Sequence, residues 1–167
     1  LNNLYFLDAN TGFSSGGSFG GELIKTTNGG VNWLSSSVPD SVRAITDIQF
    51  ISKETGYATG AYNFPTAGAA NTSWSDHHSI NGIQNKMMGM NEGINYDAIL
   101  LKTKDAGMSW FNYGNPNDKY SYVYQIILID DQSALISGAD QFGIFFLPRL
   151  SKTSDGGVTW IQLNIPM

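Results

Sequence analysis

One eight-residue segment occurs three times in this chain, and the repetition constrains the fold more than any other feature. The copies are TTNGGVNW, TKDAGMSW and TSDGGVTW, at residues 26–33, 103–110 and 153–160. Each follows an apolar run that ends in lysine, and three of the four tryptophans occupy the last position of a copy. A pattern that returns after several tens of residues is typical of stacked repeat units.

A second element repeats upstream of each copy. The segments LYFLDANTGFSSG, IQFISKETGYATG and IILIDDQSALISG, at 4–16, 48–60 and 126–138, align without a gap. Each contains two strand-like runs joined by turn-forming residues. Two repeated elements in the same order predict an all-β fold of three four-stranded antiparallel units. We place these units at 1–40, 41–118 and 119–167, with a long insertion at 63–96 in the second.

The eight-residue pattern, Ser/Thr-x-Asp-x-Gly-x-x-Trp, resembles the Asp-box, or bacterial neuraminidase repeat. This repeat is found in sialidases, some xyloglucan-active glycosidases and sortilin-type receptors. The TGF and TGY elements are most similar to the photosystem II assembly/stability factor group and its bacterial relatives. The resemblance covers the chain outside the insertion and implies a β-propeller. Because propellers typically have about 4 to 8 blades, we expect part of a larger propeller, with self-association or a partner's blades as the alternative.

Each box is interpreted as a hydrogen-bonded turn. A tight turn leaves backbone N–H groups without partners, and a threonine, an aspartate or an asparagine can accept from them. Glycine permits positive φ, and we expect the tryptophan ring to be buried between sheets. The residues assigned to these structural boxes are Thr26, Asn28, Gly30, Trp33, Thr103, Asp105, Gly107, Trp110, Thr153, Asp155, Gly157 and Trp160. The resemblance puts the boxes opposite the face that carries active sites, so no catalytic residue is predicted among them.

Composition excludes several classes of function. Nine basic residues against fourteen acidic ones give a net charge of -5, and no basic cluster is present to follow a phosphate backbone. Nucleic acid is therefore not expected as a partner. No apolar run approaches the roughly 20 residues of a membrane-spanning helix. The chain lacks cysteine and the phosphate-binding glycine motifs, so no cofactor is expected.

The insertion holds most of the candidate binding residues. Long loops in compact domains are usually functional or disordered, and the resemblance implies that this connection opens onto the ligand-binding face of the propeller. The candidates there and in the next loop are Trp74, His77, His78, Met90 and Tyr120. Adjacent histidines on extended backbone point in opposite directions and there is no third histidine, so no metal site is predicted. Tyr122 and Tyr124 alternate along a strand, and we expect them in the core.

The favoured function is a non-catalytic, exported bacterial propeller that binds a protein partner or serves as an assembly scaffold through its loop face. Export here means the periplasm, the extracellular space or the cell surface. One alternative is a fragment of a glycoside hydrolase or carbohydrate-binding propeller, although a sialidase site needs three arginines and only Arg43 and Arg149 are present. A xyloglucan-type site needs two acids, and none of the available loop carboxylates forms an evident pair. The other alternative is a structural or adhesive repeat of a large surface protein.

Overall fold

A computed structural model describes residues 3–16, 21–64, 95–114, 122–142 and 145–165. Twelve strands lie within these ranges: β1 (Asn3–Phe6), β2 (Gly12–Gly16), β3 (Glu22–Thr26), β4 (Leu34–Ser35), β5 (Val42–Phe50), β6 (Gly56–Phe64), β7 (Asn95–Thr103), β8 (Phe111–Gly114), β9 (Tyr122–Leu128), β10 (Ala134–Phe142), β11 (Phe145–Thr153) and β12 (Ile161–Gln162). Over the same ranges there is no helix that could cross a bilayer.

The strands form three separate sheets, each with four antiparallel strands in chain order. Strands β1 to β4 form blade 1, β5 to β8 form blade 2, and β9 to β12 form blade 3. In such a meander the first and third turns of every blade lie at one end of the strands, which we call the box face. The second connection of a blade and the connection to the next blade lie at the other end, the loop face. The all-β prediction of four-stranded repeat units is confirmed.

The hydrophobic core lies between blades and not within any one of them. Phe13 and Leu23 of blade 1 pack in one cluster with Ile48, Leu101 and Trp110 of blade 2. A second cluster joins Tyr57 and Leu100 of blade 2 to Val123, Ile126 and Trp160 of blade 3. Each sheet alternates its side chains between its two faces, so the middle blade contributes one face to each cluster. Apolar burial therefore stabilises the blades only as a stack.

Side chains of one blade also bind the inner strand of the next. The Asp47 carboxylate accepts a hydrogen bond from the Asn3 side chain of blade 1 at 3.0 Å and from the Ile126 backbone N–H of blade 3 at 2.9 Å. The Gln49 side-chain oxygen accepts from the Leu128 backbone N–H at 3.0 Å. An unpaired strand edge is a site of unwanted pairing. These side chains satisfy N–H groups of inner strand edges and fix the relative height of neighbouring blades.

In each blade, the size of one residue on the first strand limits the size of the residue opposite it on the second strand. Phe6 lies opposite Gly12 and Phe50 lies opposite Gly56, whereas the third blade pairs Leu128 with Ala134. A Cβ atom added at Gly56 would lie 2.9 Å from atoms of the Phe50 ring, closer than ordinary van der Waals contact. The glycine therefore makes room for the aromatic ring that covers it, and alanine is tolerated where the ring is absent.

The prediction that Tyr124 belongs to the core was wrong. Its side chain is 54% exposed, whereas Val123 beside it is buried. The pairing of β9 with β10 shifts register here, because Gln125 faces Ser137 while Val123 faces Gly138. Tyr124 is the extra residue of this β-bulge, and a bulge turns its residue out of the regular alternation. Tyr122 is half-buried, and its burial raises the pKa of its hydroxyl group.

The Phe50 and Gly56 pairing predicts a strong coupling between two substitutions. Gly56→Ala should lower the free energy of unfolding by about 1 to 3 kcal/mol, because the added methyl group overpacks the ring. In a Phe50→Leu background the same substitution should cost much less, since the pair then matches Leu128 and Ala134. Urea unfolding of the four proteins should give an interaction energy of at least about 1 kcal/mol. Additive costs would contradict this account of the glycine.

Candidate functional site

The box turn of blade 2 is closed by side chains that bind its own backbone. Thr103 Oγ1 accepts from the Gly107 N–H at 2.9 Å and donates to Asp105 Oδ1 at 2.8 Å. The same carboxylate accepts from the backbone N–H and the hydroxyl group of Ser109. The Trp110 indole N–H donates to the Gly107 carbonyl oxygen at 3.3 Å. Threonine, aspartate, glycine and tryptophan thus each have a defined place in one turn.

The other two boxes repeat this geometry. In blade 3, Thr153 donates to Asp155 at 2.8 Å and accepts from the Gly157 N–H at 2.9 Å. In blade 1, Asn28 replaces the aspartate, and its side-chain oxygen accepts from the Asn32 N–H at 2.9 Å. A neutral carboxamide therefore suffices to close the turn, and the negative charge of the other two boxes is not needed for its geometry.

Each box has two successive residues with positive φ. Gly30, Gly107 and Gly157 have φ values of 89, 77 and 93°, in the left-handed region that glycine tolerates. The preceding residue is also left-handed, and in blade 2 it is Ala106, with φ of 58°. The sequence did not indicate this, since an alanine normally avoids the region. The Ala106 N–H donates to the Glu54 carbonyl oxygen at 2.9 Å, which holds the residue in this conformation.

A second set of closed turns lies beside the boxes and was missed by the sequence reasoning. Asp8 accepts from the N–H groups of Asn10 and Thr11 at 2.8 Å each. In blade 3, Asp130 accepts from the backbone N–H groups of Gln132 and Ser133. In blade 2, the Ser52 hydroxyl group accepts from the N–H groups of Glu54 and Thr55. The signal was available, because these three residues occupy one position of the second repeat. Short polar side chains at such a position favour turns that bind their own backbone.

The hydrogen bonds of the box face lower the pKa of its carboxyl groups. Hydrogen bonds from the Ser109 hydroxyl and backbone N–H lower the pKa of Asp105 to about 2, and the equivalent bonds from Thr159 lower the pKa of Asp155 to about 2. Backbone N–H donors also lower the pKa of Asp8 and Asp130. A general acid or base needs a pKa near the working pH. These four carboxylates therefore have the electrostatics of structural groups.

The lysines before the boxes of blades 1 and 2 contact aromatic rings, and the lysine of blade 1 also reaches the box of blade 2. Lys25 Nζ donates to the Ala106 carbonyl oxygen at 2.6 Å and lies 5.8 Å from the centre of the Phe13 ring. Lys102 Nζ lies 4.8 and 4.2 Å from the ring centres of Tyr57 and Tyr113. Burial of Lys102 acts to lower its pKa, but the contacts with the two tyrosines outweigh it and raise the pKa. The cation–π contacts lie within a blade, and the hydrogen bond from Lys25 to Ala106 joins blade 1 to blade 2.

The candidate binding residues predicted from the sequence do not belong to the described part of the chain. Trp74, His77, His78, Met90 and Tyr120 all fall outside the described residues. Within the described ranges, no group of three or more acidic or histidine side chains could hold a metal ion. Arg149 forms an ion pair with Asp140 at 3.3 Å in blade 3, and Arg43 donates to the Asp40 carbonyl oxygen at 2.8 Å. Each of the two arginines thus interacts with a nearby group of its own blade or its own turn.

A cavity of about 10 Å³ lies between blades 2 and 3. Its lining includes Tyr57, Leu128 and Trp160. Leu128 occupies the position at which blade 2 has the larger Phe50, so the reduced side-chain volume accounts for the gap. A space of this size holds at most one water molecule, and it is too small for an organic ligand.

The tryptophans of the boxes differ in burial, which corrects the prediction for Trp33. Trp110 is 4% exposed and Trp160 is 9% exposed, and each packs against the preceding blade. Trp33 is only half-buried, and its ring lies nearly perpendicular to that of Phe6 with ring centres 6.3 Å apart. The sequence predicted a buried ring in all three boxes. The difference arises because burial of this ring depends on a preceding blade, and blade 1 has none among the described residues.

Comparisons with known proteins identify the fold. No family model matches the chain, and no curated protein matches it. Among solved structures, the chain is similar to one described as "YCF48 bound to D1 peptide", with a TM-score of 0.57 and 17% sequence identity over 96% of this chain. The match covers 38% of that chain. The likeness shows the fold, and the three sheets are blades of a larger β-propeller.

The box tryptophans provide a matched pair of substitutions. Trp110→Ala should lower the free energy of unfolding by about 3 to 5 kcal/mol, because the ring fills the contact with blade 1. Trp33→Ala should cost clearly less, since its ring is only partly buried. Urea unfolding of dilute protein, followed by far-UV circular dichroism, measures both. Equal costs would contradict the assignment of Trp110 to the contact between blades.

The low pKa values predict an acid-sensitive stability. The folded-state pKa of about 2 for Asp105 and Asp155 lies below the ordinary value of 3.8, so their contribution is complete above about pH 4 and is lost as the pH falls through 2. The double variant Asp105→Asn and Asp155→Asn, which imitates Asn28, should show a weaker fall in melting temperature between pH 4 and pH 2. Asp131→Asn, at an exposed position outside the boxes, is the control and should retain the full pH dependence. An unchanged profile in the double variant would contradict the low folded-state pKa of the two carboxyl groups.

Proposed function

We propose that this chain is a non-catalytic, exported propeller that binds an extended segment of a partner protein on its loop face. The observation that carries the proposal is the internal saturation of the box face. Its carboxylates, threonine hydroxyls and turn N–H groups bind one another in all three blades. A face whose polar groups are already paired offers few hydrogen bonds to a ligand, so recognition is assigned to the opposite face.

The connections on the loop face can differ from blade to blade while the strands remain equivalent. In blade 2, β6 and β7 remain paired up to Phe64 and Asn95, which lie directly opposite each other. The 30 residues between them therefore leave and return at one point of this face. Connections that vary while the scaffold repeats are the usual place for binding residues. Trp74, His77, His78 and Met90 of this segment, and Tyr120 of the next connection, stay the candidate contacts by sequence.

The similar solved structure supports the class of partner. It is described as a complex with the D1 peptide, so a propeller of this fold can hold a peptide. An extended segment is recognised largely by main-chain hydrogen bonds and by pockets for a few side chains. We therefore propose a peptide segment of another protein as the ligand. Export and a place in protein assembly rest on the family resemblance of the repeated boxes.

The proposal is tested with a displayed library of 15-residue peptides and the purified protein. We expect enrichment of related peptides, followed by measurable affinity in fluorescence polarisation. Replacing residues 65–94 by Asn-Gly should leave the fold intact, because this dipeptide closes a two-residue turn between the paired ends of β6 and β7. The same replacement should weaken binding at least tenfold, a loss of about 1.4 kcal/mol. Trp74→Ala should reproduce part of that loss.

The control is a substitution on the box face. Val158 is 72% exposed there, and Val158→Ser should leave peptide affinity unchanged. Far-UV circular dichroism and the melting temperature confirm that each variant is folded. Failure to enrich any peptide would contradict a peptide ligand. Loss of binding in Val158→Ser with full binding in the shortened variant would place recognition on the wrong face for the proposal.

A further inference from the structure

The box of blade 1 contains an asparagine where the boxes of blades 2 and 3 contain aspartate. Asn28 occupies the position of Asp105 and Asp155, and it is followed by Gly29. Asparagine is one of the thermolabile residues. It is most labile before glycine, because a following residue without a side chain leaves its main-chain nitrogen open to the asparagine Cγ atom. This box thus combines a reactive dipeptide with a position that elsewhere holds the product of its reaction.

We propose that Asn28 is a site of spontaneous deamidation, gated by opening of its own turn, and that the aspartate formed closes the box of blade 1 as the carboxylates close the other two. The modification changes a neutral side chain into a negative one on the box face. It lies on the opposite face from the proposed peptide site, so it does not depend on the proposed function.

The reaction consumes water and changes no oxidation state. The Gly29 main-chain nitrogen gives its proton to a solvent base and bonds to the Asn28 Cγ atom. The bond from Cγ to the side-chain nitrogen breaks, and ammonia leaves. Water then opens the resulting cyclic imide, at the side-chain carbonyl to give aspartate or at the main-chain carbonyl to give isoaspartate. In sum, an amide and a water molecule become a carboxylate and an ammonium ion.

The closed turn restrains both reacting groups. The Gly29 N–H donates to the Asn10 carbonyl oxygen at 2.9 Å. The Asn28 side-chain oxygen accepts from the Thr26 hydroxyl group at 3.0 Å and from the Asn32 N–H at 2.9 Å. Attack requires the glycine nitrogen to leave its acceptor and the asparagine side chain to leave its donors. We therefore expect deamidation only when the turn is open.

These restraining bonds lie within blade 1. Asn10 belongs to the turn between β1 and β2, and the equivalent bond of blade 2 joins Ala106 to Glu54. Asn28 is exposed to solvent, and Asp105 is exposed as well, although blade 2 packs against a blade on either side. A preceding blade therefore does not by itself cover this position of the box.

The aspartate product suits the turn that asparagine occupies. In blade 2 the Asp105 carboxylate accepts from the Thr103 hydroxyl group and the Ser109 N–H. The equivalent donors of blade 1 already bind the Asn28 oxygen. Isoaspartate would place an additional carbon atom in the main chain directly before Gly29, where two successive residues have positive φ. The closed box therefore accommodates aspartate and excludes isoaspartate.

The test is peptide mapping of the 167-residue protein during incubation in mildly alkaline buffer. Trypsin releases residues 26–43, and mass spectrometry separates the amide, aspartate and isoaspartate forms of this peptide. The reference is the synthetic peptide 26–43 under the same conditions. Native protein should react at least about tenfold more slowly than the peptide, because only the open turn reacts and it is a minor population. The product that remains folded should be aspartate.

Thr26→Val tests the gate. It removes the hydroxyl group that binds Asn28 and the Gly30 N–H, so the native rate at Asn28 should rise at least about threefold while the rate in the peptide stays the same. Thr103→Val is the matched control, because it removes the same bonds from the box of blade 2. This control should leave the rate at Asn28 unchanged. Equal acceleration by both variants would show that general unfolding exposes the site, and it would overturn the local gate.

Two further measurements do not require a weakened turn. Hydrogen exchange of the Gly29 N–H in wild-type protein should be slower than in the peptide, because exchange needs the same opening. Asn28→Asp, which imitates the product, should retain the melting temperature of wild type at neutral pH. Asn28→Ala should lower it, because the acceptor for two donors is lost.

The contrary results are equally specific. A native rate equal to that of the peptide would overturn the proposal, and so would an unprotected Gly29 N–H. The proposal also fails if Asn28→Asp does not fold, or if Asn28 reacts neither in wild type nor in Thr26→Val.

Discussion

The structure depends on the contact between a box and the blade before it. Phe13 of blade 1 stacks on Phe50 with ring centres 4.7 Å apart, and the Trp110 ring lies nearly perpendicular to both. Lys25 crosses the same junction to reach a carbonyl oxygen of the box turn. A four-stranded sheet has two apolar faces and cannot cover either by itself, so it is stable only when a neighbour supplies this contact. The turn chemistry of the box therefore serves packing, because it fixes the height and direction from which the tryptophan meets the next sheet.

The contact between a box and the preceding blade also constrains which residue types can occupy positions far from the box. An aromatic ring on the inner strand requires glycine opposite it, and the leucine of blade 3 permits alanine. That exchange leaves a gap of about 10 Å³ between blades 2 and 3. Packing, strand pairing and backbone freedom are therefore selected together in each blade, as expected for a sequence whose local and global preferences agree. The repeat unit tolerates a change at one of these positions only when the others change with it.

Features with local causes could be predicted from the sequence. The strands follow from alternation and the boxes from turn chemistry, and both involve groups a few residues apart. The missed features arise from contacts between distant segments. Ala106 has a positive φ because its N–H binds the turn of Glu54, and Tyr124 is exposed because a register shift makes it a bulge. Trp33 is half-buried because its burial needs a neighbouring sheet. None of these causes is visible in the residues themselves, whereas the turn closed by Asp8 was visible in the second repeat.

The repetition also bears on where specificity resides. A group that recurs in every blade recurs because each blade must be closed and stacked, so Thr103, Gly107 and Trp110 carry no information that distinguishes this protein from another stack of the same units. Recognition of one partner requires a surface that occurs once. Two features break the repeat: the insertion in the sequence of blade 2 and, among the described residues, the carboxylate of Asp47, which joins three blades at their inner strands. The insertion is the largest of these and leaves from the face whose polar groups are not consumed by the boxes. The repeated contacts build a scaffold that any stack of these units would share. The insertion of blade 2, which interrupts the repeat, is the feature that distinguishes this protein.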